Sequence, residues 1–352
     1  MGSTQENDVL DHAASAIRKC RRPVSEYMRQ VVGEQTSGDI RRIIRYHLGW
    51  ADADGSPADT LGGKHIRPTL CVVTCAAVGG RATEAVEAAA ALEFLHGFTL
   101  VHDDIMDEDT LRRGRASVWA LWGPATALLV GDALHALANV ALAQVQAFHL
   151  SPSIVCAVSQ ELNRAAVAVC EGQYQDSRLE GRNDVTVAEY LAMAERKTAA
   201  LFASACSIGA RIADAPSELA EAVRRFGHHL GLAFQIRDDV LGIWGTPEQL
   251  GKPVGSDLRR KKRSLPVVHA VIHGTARLRR ELSRQDRTTA VADEDTTSLA
   301  AQMERTGSRE FCHRLAREFS DRALSELDGL DVAAGPAQEL RSLAVYAAMR
   351  AT

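Results

Sequence analysis

The amino-acid sequence predicts an all-α fold, and three observations support this prediction. Leu, Ala, Val and Ile recur at three- and four-residue spacing over long segments, which is the pattern of helices with a buried face. Short stretches with Gly or Pro separate these segments. The sequence lacks alternating apolar runs bounded by hairpin turns, and no strand pattern leads into a glycine-rich phosphate loop. A doubly wound nucleotide-binding fold is therefore not expected.

Length and composition are those of a soluble globular chain. The 352 residues allow two domains, although one large helical domain fits equally well. With 24% charged residues and a formal net charge of -4, the chain gives no indication of binding nucleic acid or anionic membranes. The first ~10 residues and the acidic stretch 287–298 are expected as a mobile tail and a loop rather than as linkers. We therefore predict one helical domain over residues 1–352.

The chain is expected to be cytoplasmic. Its N-terminus lacks the basic and apolar regions of a signal peptide. No uninterrupted apolar segment reaches the ~18 residues of a membrane-spanning helix. The cysteines, 7 in number and irregularly spaced, lie mostly in apolar segments, as core residues of a reducing compartment do.

The first chemical signal is the segment LVHDDIMDEDTLRRGR, in which Asp103, Asp104 and Asp107 precede Arg112 and Arg113. At 100° per residue, the first and third aspartates lie roughly 40° apart on one helix face, with the second beside them. Two charges ~5 Å apart repel by ~3 kcal/mol at an effective dielectric constant near 20, so a sheltered cluster requires a cation. Carboxylate oxygens favour Mg²⁺ over zinc. Taken alone, the segment is also consistent with a solvated acidic helix end.

A second acidic group favours the metal site. Gln235, Asp238, Asp239 and Gly242 fall at i, i+3, i+4 and i+7, which places one polar stripe on an otherwise apolar helix. Aspartates at such positions are costly unless their charge is satisfied. The loop that follows carries further charged residues, namely Lys252, Asp257, Lys261 and Lys262.

Basic residues are also present near the start of the helical region. In GGKHIRP, Gly62 and Gly63 permit a tight turn before two cations, Lys64 and Arg67. By itself this segment is better explained as a helix start that carries surface cations. Two acidic groups together with such basic segments indicate a divalent-metal bridge to a polyphosphate.

From about Gly62 to Pro266, the order and spacing of these motifs resemble the trans-type isoprenyl diphosphate synthases, the polyprenyl synthetase family. The resemblance implies an isoprenoid-synthase fold, a single large helical bundle around a central cavity, and a homodimer. It also implies a prenyltransferase that condenses isopentenyl diphosphate with dimethylallyl, geranyl or farnesyl diphosphate. Three Mg²⁺ ions per site would be the cofactor, with Mn²⁺ as a substitute.

The resemblance assigns a role to each candidate site residue. The metal ligands would be Asp103, Asp104, Asp107, Asp238 and Asp239. The residues that contact the allylic diphosphate would be Arg112, Lys197, Lys252 and Lys262. The residues that contact isopentenyl diphosphate would be Lys64, Arg67, His96 and Arg113. Gln173 and Thr198 would line the reacting centre, and Gln235 would support the metal site. The catalytic set would be Asp103, Asp104, Gln173, Lys197, Thr198, Gln235 and Asp238, of which Lys197, Thr198 and Gln235 would also bind substrate.

Some of these residues have simpler explanations. A histidine on an apolar helix is often a core residue, but His96 lies about 20° from Asp103 on the helical wheel, which favours a ligand. Lys197 and Gln173 could be surface residues of a helix. The chain also departs from the family pattern. Gly242 replaces the usual third aspartate of the second motif, and His65 and Ala116 replace the commoner Arg and Pro.

Product length is predicted from the residues before the first motif. In the family, side chains four and five positions before it form the floor of the product cavity, and here these are Thr99 and Phe98. One aromatic beside one small residue, with no insertion in the motif, resembles enzymes that stop at twenty carbons, with fifteen second. On an ideal wheel Thr99 lies roughly 40° from Asp103 and Phe98 roughly 140° away.

Two other functions remain as alternatives. A class I terpene cyclase shares the helical fold and the first motif, but NDVTVAEY at Asn183 lacks the spacing of its second motif. A non-catalytic subunit that modulates a prenyl synthase should have lost aspartates from the first motif. This chain keeps all three of them.

Overall fold

The computed structural model describes residues 3–58, 63, 65–143, 150–246, 255–260, 262–283 and 293–349. These residues are helical apart from turns, loops and one short hairpin, so the all-α prediction is confirmed. The chain divides into two compact units, which are described separately. The first unit comprises Met1–Ala166, Leu201–Gly227 and Glu326–Leu343. The second comprises Val167–Ala200, His228–Ser325 and Ala344–Thr352. The single domain over residues 1–352 stays a prediction.

The elements are numbered in chain order. Those up to residue 179 are α1 (Ser3–Gln35), α2 (Gly38–His47), α3 (Ile66–Ala77), α4 (Val86–Met106), β1 (Leu111–Arg112), β2 (Arg115–Ala116), α5 (Val118–Ala143) and α6 (Pro152–Leu179). Those that follow are α7 (Val187–Ala194), α8 (Ala200–Ile212), α9 (Ser217–Trp244), α10 (Ser256–Arg259), α11 (Leu265–His273), α12 (Ala276–Ser283), α13 (Asp293–Arg305), α14 (Ser308–Glu326) and α15 (Ala334–Met349). A 3₁₀ turn (Ala82–Ala85) precedes α4, and a π-helical turn (Glu195–Ala199) joins α7 to α8.

Helix α4 forms the core of the first unit. Its four consecutive alanines, Ala88 to Ala91, are fully buried, and their small side chains let neighbouring helices pack closely. It packs against α5 over much of its length and also against α1 and α3. Helix α1 contributes one apolar face with buried residues at positions 13, 16, 20, 24, 28 and 31. This spacing follows the helical repeat, as the sequence pattern predicted.

Two segments differ from the sequence-based expectation. Helix α1 begins at Ser3, so the stretch expected as a tail has a helical backbone from that residue onward. The acidic stretch expected as a loop is helical from Asp293, in α13, while residues 284–292 lie outside the described residues. The residues of both segments are compatible with a helix but contain no strong signal for the residue at which it begins. Composition alone therefore did not predict the helix ends.

A hairpin after α4 was not expected from the sequence. Its two strands pair Leu111 with Ala116 and Arg112 with Arg115. The two residues between them, Arg113 and Gly114, both have positive φ angles, of 54° and 73°. Positive φ at both central residues is the geometry of a tight two-residue hairpin turn. The turn therefore fixes the backbone conformation of the basic residues that follow the first aspartate motif.

Helix α5 is the one helix among the described residues that is long and apolar enough to span a membrane by length and composition. It packs against α4, and residues such as Val130 and Leu134 are fully buried there. Helix α5 therefore packs as a core helix of the first unit. Gly123, with φ 80° and ψ 162°, interrupts it directly before Pro124.

The second unit is built around the C-terminal half of α9. Leu232, Ala233, Ile236 and Val240 are buried in an apolar cluster with residues of α7, α11 and α14. Helix α7 starts with a capping box, in which the Thr186 hydroxyl accepts a hydrogen bond from the Glu189 amide at 3.2 Å. Within the polar stripe of α9, Asp238 is exposed, Gln235 is half-buried and Asp239 is buried.

Candidate active site

The first aspartate group lies at the C-terminal end of α4. Asp103 and Asp104 are in its last turn, and Asp107 is the C-cap residue, whose amide donates a hydrogen bond to the Asp103 carbonyl at 2.7 Å. Asp103 and Asp107 are half-buried, whereas Asp104 is buried. The C-terminus of a helix carries partial negative charge, so three carboxylates there require nearby cations.

Arg112 supplies one of these cations. From strand β1 its Nε donates to Asp104 Oδ1 at 2.9 Å, its Nη2 donates to the same oxygen, and Nη2 lies 3.8 Å from Asp109 Oδ2. Burial alone would lower the pKa of Arg112, but the two carboxylates raise it above its ordinary value. The buried Asp104 thus fixes the Arg112 guanidinium, and the more accessible members of the first motif are Asp103 and Asp107.

Arg67 and His96 form a second basic group in the same unit. Arg67 Nη1 lies 3.2 Å from His96 Nε2, and its guanidinium carbon lies 4.7 Å from the centre of the Phe202 ring. Burial and the neighbouring arginines hold the pKa of His96 well below its usual value. His96 is therefore neutral, and its Nε2 accepts the hydrogen bond from Arg67 because a guanidinium can only donate. The structure thus brings together two residues that the resemblance assigned to isopentenyl diphosphate.

The glycine turn before α3 approaches Arg113. A Cβ on Gly63 would lie 2.7 Å from Arg113 Nη2 and 3.3 Å from Glu93 Oε1, so only glycine leaves room here. Gly63 and His65 both have positive φ, of 29° and 45°, a conformation that glycine adopts without strain. Gly62, Lys64, Lys252 and Lys261 lie outside the described residues.

In the second unit, the π-helical turn carries Lys197 and Thr198. Gly172 of α6 lies against this turn, since a Cβ there would be 2.2 Å from the Lys197 amide nitrogen and 2.5 Å from its Cα. Lys197 Nζ donates to Asp176 Oδ2 at 2.5 Å. Single π-helical turns occur frequently at functional sites, because they reorient side chains within a helix.

Hydrogen bonds connect Thr198 to the second aspartate motif. The Thr198 hydroxyl donates to Gln235 Oε1, and Gln235 Nε2 donates to Asp239 Oδ1 at 2.8 Å. The other carboxylate oxygen, Asp239 Oδ2, accepts from the Leu265 amide at 2.7 Å, at the first residue of α11. A carboxylate at a helix N-terminus stabilises the helix in two ways. It accepts a hydrogen bond from an otherwise unpaired amide, and it interacts favourably with the partial positive charge of that helix end. Gln235 therefore holds Asp239 of the second motif through a hydrogen bond, while its support of a metal site stays a prediction.

The two aspartates of the second motif differ in environment. Asp238 is exposed, whereas Asp239 is 6% exposed and burial raises its pKa to about 7. Asp239 is held by its hydrogen bonds, and the more exposed carboxylate of the pair is Asp238. This difference could not be read from the DD pair in the sequence.

The remaining predicted residues are also placed by the structure. Gln173 is buried, and its Oε1 has no hydrogen-bond partner among the described residues. Lys262 is half-buried just before α11, and its amide donates to the Asp257 carbonyl at 3.0 Å. Phe98 packs toward α5, with ring centres 4.8 Å from His102 and 5.3 Å from His135. Thr99 is buried, and its hydroxyl donates to the His96 carbonyl at 2.9 Å.

These residues fit magnesium by the chemistry of their donor groups. Among the described residues, no group of three or more His, Cys, Asp or Glu side chains could hold a metal ion as a cage built by the protein alone. Magnesium does not need such a cage, because it usually keeps several waters and shares its remaining positions between one or two carboxylates and substrate phosphates. The accessible carboxylates of Asp103, Asp107 and Asp238 are donors of that kind.

Two acidic residues with a place in the site were not assigned a role from the sequence. Asp176 pairs with Lys197, and it lies three residues after Gln173, so the helical repeat placed both on one face. Asp257 lies against Gly242 of α9. An isolated glycine in a helix often marks the close approach of another group. Gly242 was therefore the feature of the sequence that could have indicated this contact.

The comparison with protein families gives the class. Residues 58–302 match the family described as Polyprenyl synthetase. The chain belongs to the polyprenyl synthetase family. It is accordingly a prenyltransferase of isoprenoid biosynthesis, and more particularly a short-chain trans-prenyl diphosphate synthase.

Two curated relatives illustrate this membership. The chain is 40% identical over 310 residues to a (2E,6E)-farnesyl diphosphate synthase of Mycobacterium tuberculosis, covering 87% of this chain and 85% of the relative. It is 46% identical over 232 residues to a geranylgeranyl diphosphate synthase of the same organism, covering 66% of this chain and 65% of the relative. The two relatives make products of different length, so similarity alone does not assign the product.

Solved structures show the same fold. A polyprenyl synthetase from Streptomyces coelicolor A3(2) matches with a TM-score of 0.87 and 38% identity over 95% of this chain and 98% of its own. A geranylgeranyl pyrophosphate synthase from Corynebacterium glutamicum, complexed with isoprenyl diphosphate and magnesium, matches with a TM-score of 0.82 and 25% identity over 95% and 98%. Members of the family thus bind Mg²⁺ and isoprenyl diphosphates.

Proposed function

We propose that this enzyme condenses isopentenyl diphosphate with dimethylallyl, geranyl and farnesyl diphosphates, and that its main product is geranylgeranyl diphosphate. The observation that carries the proposed reaction is that all five motif aspartates are kept, three at the end of α4 and two on α9. Arg112 holds Asp104 of the first set, and Gln235 and the Leu265 amide hold Asp239 of the second. Farnesyl diphosphate is the second candidate for the product. The reaction would take place in the cytoplasm.

The side chains divide into groups with different tasks. Asp103, Asp107 and Asp238 would hold Mg²⁺, three ions per site by resemblance to the family. When bound, the metal would stabilise the negative charge that builds on the diphosphate as the allylic C–O bond breaks. The cations proposed to bind this diphosphate are Arg112, Lys197, Lys252 and Lys262. The residues proposed to bind isopentenyl diphosphate are the cations Lys64, Arg67 and Arg113 and the neutral His96.

Formation of the new carbon–carbon bond then depends on how the two substrates are positioned. The alkene of isopentenyl diphosphate attacks the allylic carbon, the C–O bond breaks, and the released diphosphate accepts the proton that the product loses. Thr198 and Gln235, already linked by a hydrogen bond, would keep the reacting carbon in place. Buried apolar side chains exclude water, which would otherwise capture the allylic cation.

The function is tested by incubation with isopentenyl diphosphate, each allylic primer and Mg²⁺, followed by chain-length analysis. A main product of twenty carbons supports the proposal, and a main product of another length overturns the product assignment. Release of a hydrocarbon or a terpene alcohol in place of a longer diphosphate would show a cyclase. Complete inactivity that is relieved only by another synthase would show a regulatory subunit.

The two diphosphate sites are expected to be separable by mutation. Arg67→Ala should raise the apparent KM for isopentenyl diphosphate about 10- to 100-fold, because a charge-assisted contact is lost. The KM for the allylic primer should change much less. Steady-state kinetics with each substrate varied in turn measure both values, with the exposed Arg81→Ala as a matched control. An equal rise for both substrates would contradict the division into two sites.

Phe98 is proposed as the floor that limits product length. Its ring contacts His102 of α4 and His135 of α5, and the smaller side chain of Thr99 lies beside it in the chain. Phe98→Ala should lengthen the main product by at least one five-carbon unit, because it removes ring volume from a packed region. Phe98→Tyr keeps that volume and serves as the control. An unchanged product distribution in Phe98→Ala would place the floor elsewhere.

A homodimer is proposed from the family resemblance and from the surface of α5. Leu121, Leu128 and Leu129 of this helix are 44%, 48% and 61% exposed, an apolar stripe that a second copy would cover. Sedimentation at micromolar concentration should show a dimer, and Leu128→Glu/Leu129→Glu should shift it to monomer. Ile272→Glu, at an exposed apolar residue of α11, is the control. A monomeric wild-type protein would contradict the proposal.

A further inference from the structure

Arg237 of α9 is a buried arginine whose charge is not balanced by a carboxylate of the described residues. It is 4% exposed, its Nη1 donates to His313 Nδ1 at 2.7 Å, and its Nε has no hydrogen-bond partner in the described part of the chain. Burial and the adjacent Arg237 lower the pKa of His313, so the imidazole is a neutral acceptor. A guanidinium stays charged in a protein, and a buried charge without a counter-charge destabilises the fold. Arg237 is therefore expected to attract an anion from outside the chain.

Two arginines of α14 lie close to Arg237. Arg309, His313 and Arg317 follow one another at four-residue spacing, so they share one face of α14. The contact between His313 and Arg237 places this face against α9. Burial is the largest cause of the lowered pKa of Arg237, and the charges of Arg309 and Arg317 lower it further. An anion among the three guanidinium groups would relieve their mutual repulsion.

Trp244 adds a second unpaired donor on the α9 side. It comes seven residues after Arg237, so both lie on the same face of the helix. The guanidinium carbon of Arg309 lies 5.8 Å from the centre of the Trp244 ring. The indole Nε1 is buried and has no hydrogen-bond partner among the described residues, although an indole N–H can only donate. Cations and unpaired donors thus gather between α9 and α14.

The nearest carboxylates lie at the surface edge of this cluster. Arg309 Nη1 donates to Glu304 Oε1 at 2.9 Å, with side chains 44% and 52% exposed. Arg317 Nη2 lies 3.7 Å from Glu310 Oε1, with side chains 68% and 71% exposed. Such surface pairs contribute little to stability, so both arginines can turn toward another anion at low cost. Neither glutamate forms an ion pair with Arg237, where the excess positive charge remains.

We propose that Arg237, Arg309 and Arg317 form a binding site for a small phosphate anion, either inorganic phosphate or inorganic diphosphate. Guanidinium groups bind phosphate oxygens through paired, charge-assisted hydrogen bonds. The recessed position of Arg237 favours a small free anion, which can enter between the side chains of α14. The three arginines belong to none of the groups proposed for metal or substrate binding, so this site goes beyond the proposed reaction.

Thermal unfolding of the full-length protein tests the site. The unfolding temperature is measured against the concentration of inorganic phosphate without Mg²⁺, at an ionic strength held constant with NaCl, and its rise gives the Kd. Arg237→Gln should raise this Kd at least about tenfold. Without phosphate, Arg237→Gln should unfold no earlier than wild type, because an unbalanced buried charge is removed. Arg277→Gln, at an exposed arginine of α12, is the matched control and should leave the Kd unchanged.

A second variant separates this site from the proposed isopentenyl diphosphate site. Stabilisation by phosphate that is kept in Arg67→Ala and lost in Arg237→Gln supports the proposal. Stabilisation that is kept in Arg237→Gln overturns it, and so does a wild-type protein that neither anion stabilises beyond the NaCl control. The titration is repeated with inorganic diphosphate. Tighter binding of diphosphate than of phosphate would identify the ligand as the anion that prenyl transfer releases, and equal affinities would identify free phosphate.

The arginines of α14 keep the test decisive if Arg237→Gln does not fold. Arg309→Gln/Arg317→Gln changes two exposed side chains and should also raise the Kd for phosphate at least about tenfold. Circular dichroism checks that this variant is folded. An unchanged Kd in the folded double variant would overturn the proposed site.

Discussion

Asp103→Asn and Asp238→Asn are each expected to lower kcat by about 100- to 1000-fold, a loss typical of a removed electrostatic contact to the transition state. Each substitution removes one negative oxygen from an accessible carboxylate that would hold Mg²⁺, and it keeps the side-chain volume. Steady-state kinetics at saturating substrate and Mg²⁺ measure the loss. Excess chelator should abolish turnover of the wild-type enzyme, and added Mg²⁺ should restore it.

Both variants should remain folded. Neither carboxylate is deeply buried, so the free energy of unfolding should stay within about 0.5 kcal/mol of wild type. Asp321→Asn is the matched control, with the same change of charge and an expected kcat equal to that of wild type. Full activity in excess chelator, or near-normal kcat in both Asp103→Asn and Asp238→Asn, would contradict the metal assignment.

Gly172 has no side chain that could bind or react, but Gly172→Ala is expected to lower both activity and stability. Among substitutions of such residues, it should have the largest effect. Its new Cβ would lie 2.2 Å from the Lys197 amide nitrogen and 2.5 Å from the Lys197 Cα. These are backbone atoms that cannot rotate away, so the π-helical turn with Lys197 and Thr198 must move. A displacement of about 1 Å can lower kcat about 100-fold, and the overpacking should cost about 1–3 kcal/mol of stability.

Gly33→Ala provides the control for this prediction. Gly33 lies in α1, and a Cβ there meets nothing within 4 Å. Alanine should therefore leave kcat unchanged and stabilise the helix by up to about 1 kcal/mol. Chemical denaturation and kinetics on the two variants give the comparison. If Gly172→Ala folds and retains wild-type kcat, the close approach of α6 does not position Lys197.

The functional class could be predicted largely from the sequence, because it depends on residue type and spacing. Asp103, Asp104 and Asp107 share a helix face by the 3.6-residue repeat, and so do Gln235, Asp238 and Asp239. Helical periodicity likewise predicted the all-α fold and the buried face of α1. Such features are local: the residues concerned lie within one or two helical turns, so the chain itself sets their relation.

The sequence was a poorer guide to the backbone structure where segments far apart in the chain contact one another. The Arg113-Gly114 hairpin turn was not expected, although it sets the backbone of the basic residues after the first motif. The helix start at Asp293 also departs from the expected loop. In each case several backbone conformations were open to the local sequence, and packing against the rest of the unit selected one of them.

What the sequence determined by itself is the identity and local spacing of the charged groups, since these follow from covalent order and the helical repeat. Only the tertiary structure decided what each group does. It buried Asp104 against Arg112, left Asp238 exposed while burying Asp239, and brought Asp257 to Gly242. The physical reason is that burial, hydrogen-bond partners and close approaches depend on residues far apart in the chain, whose contacts form only when the helices pack.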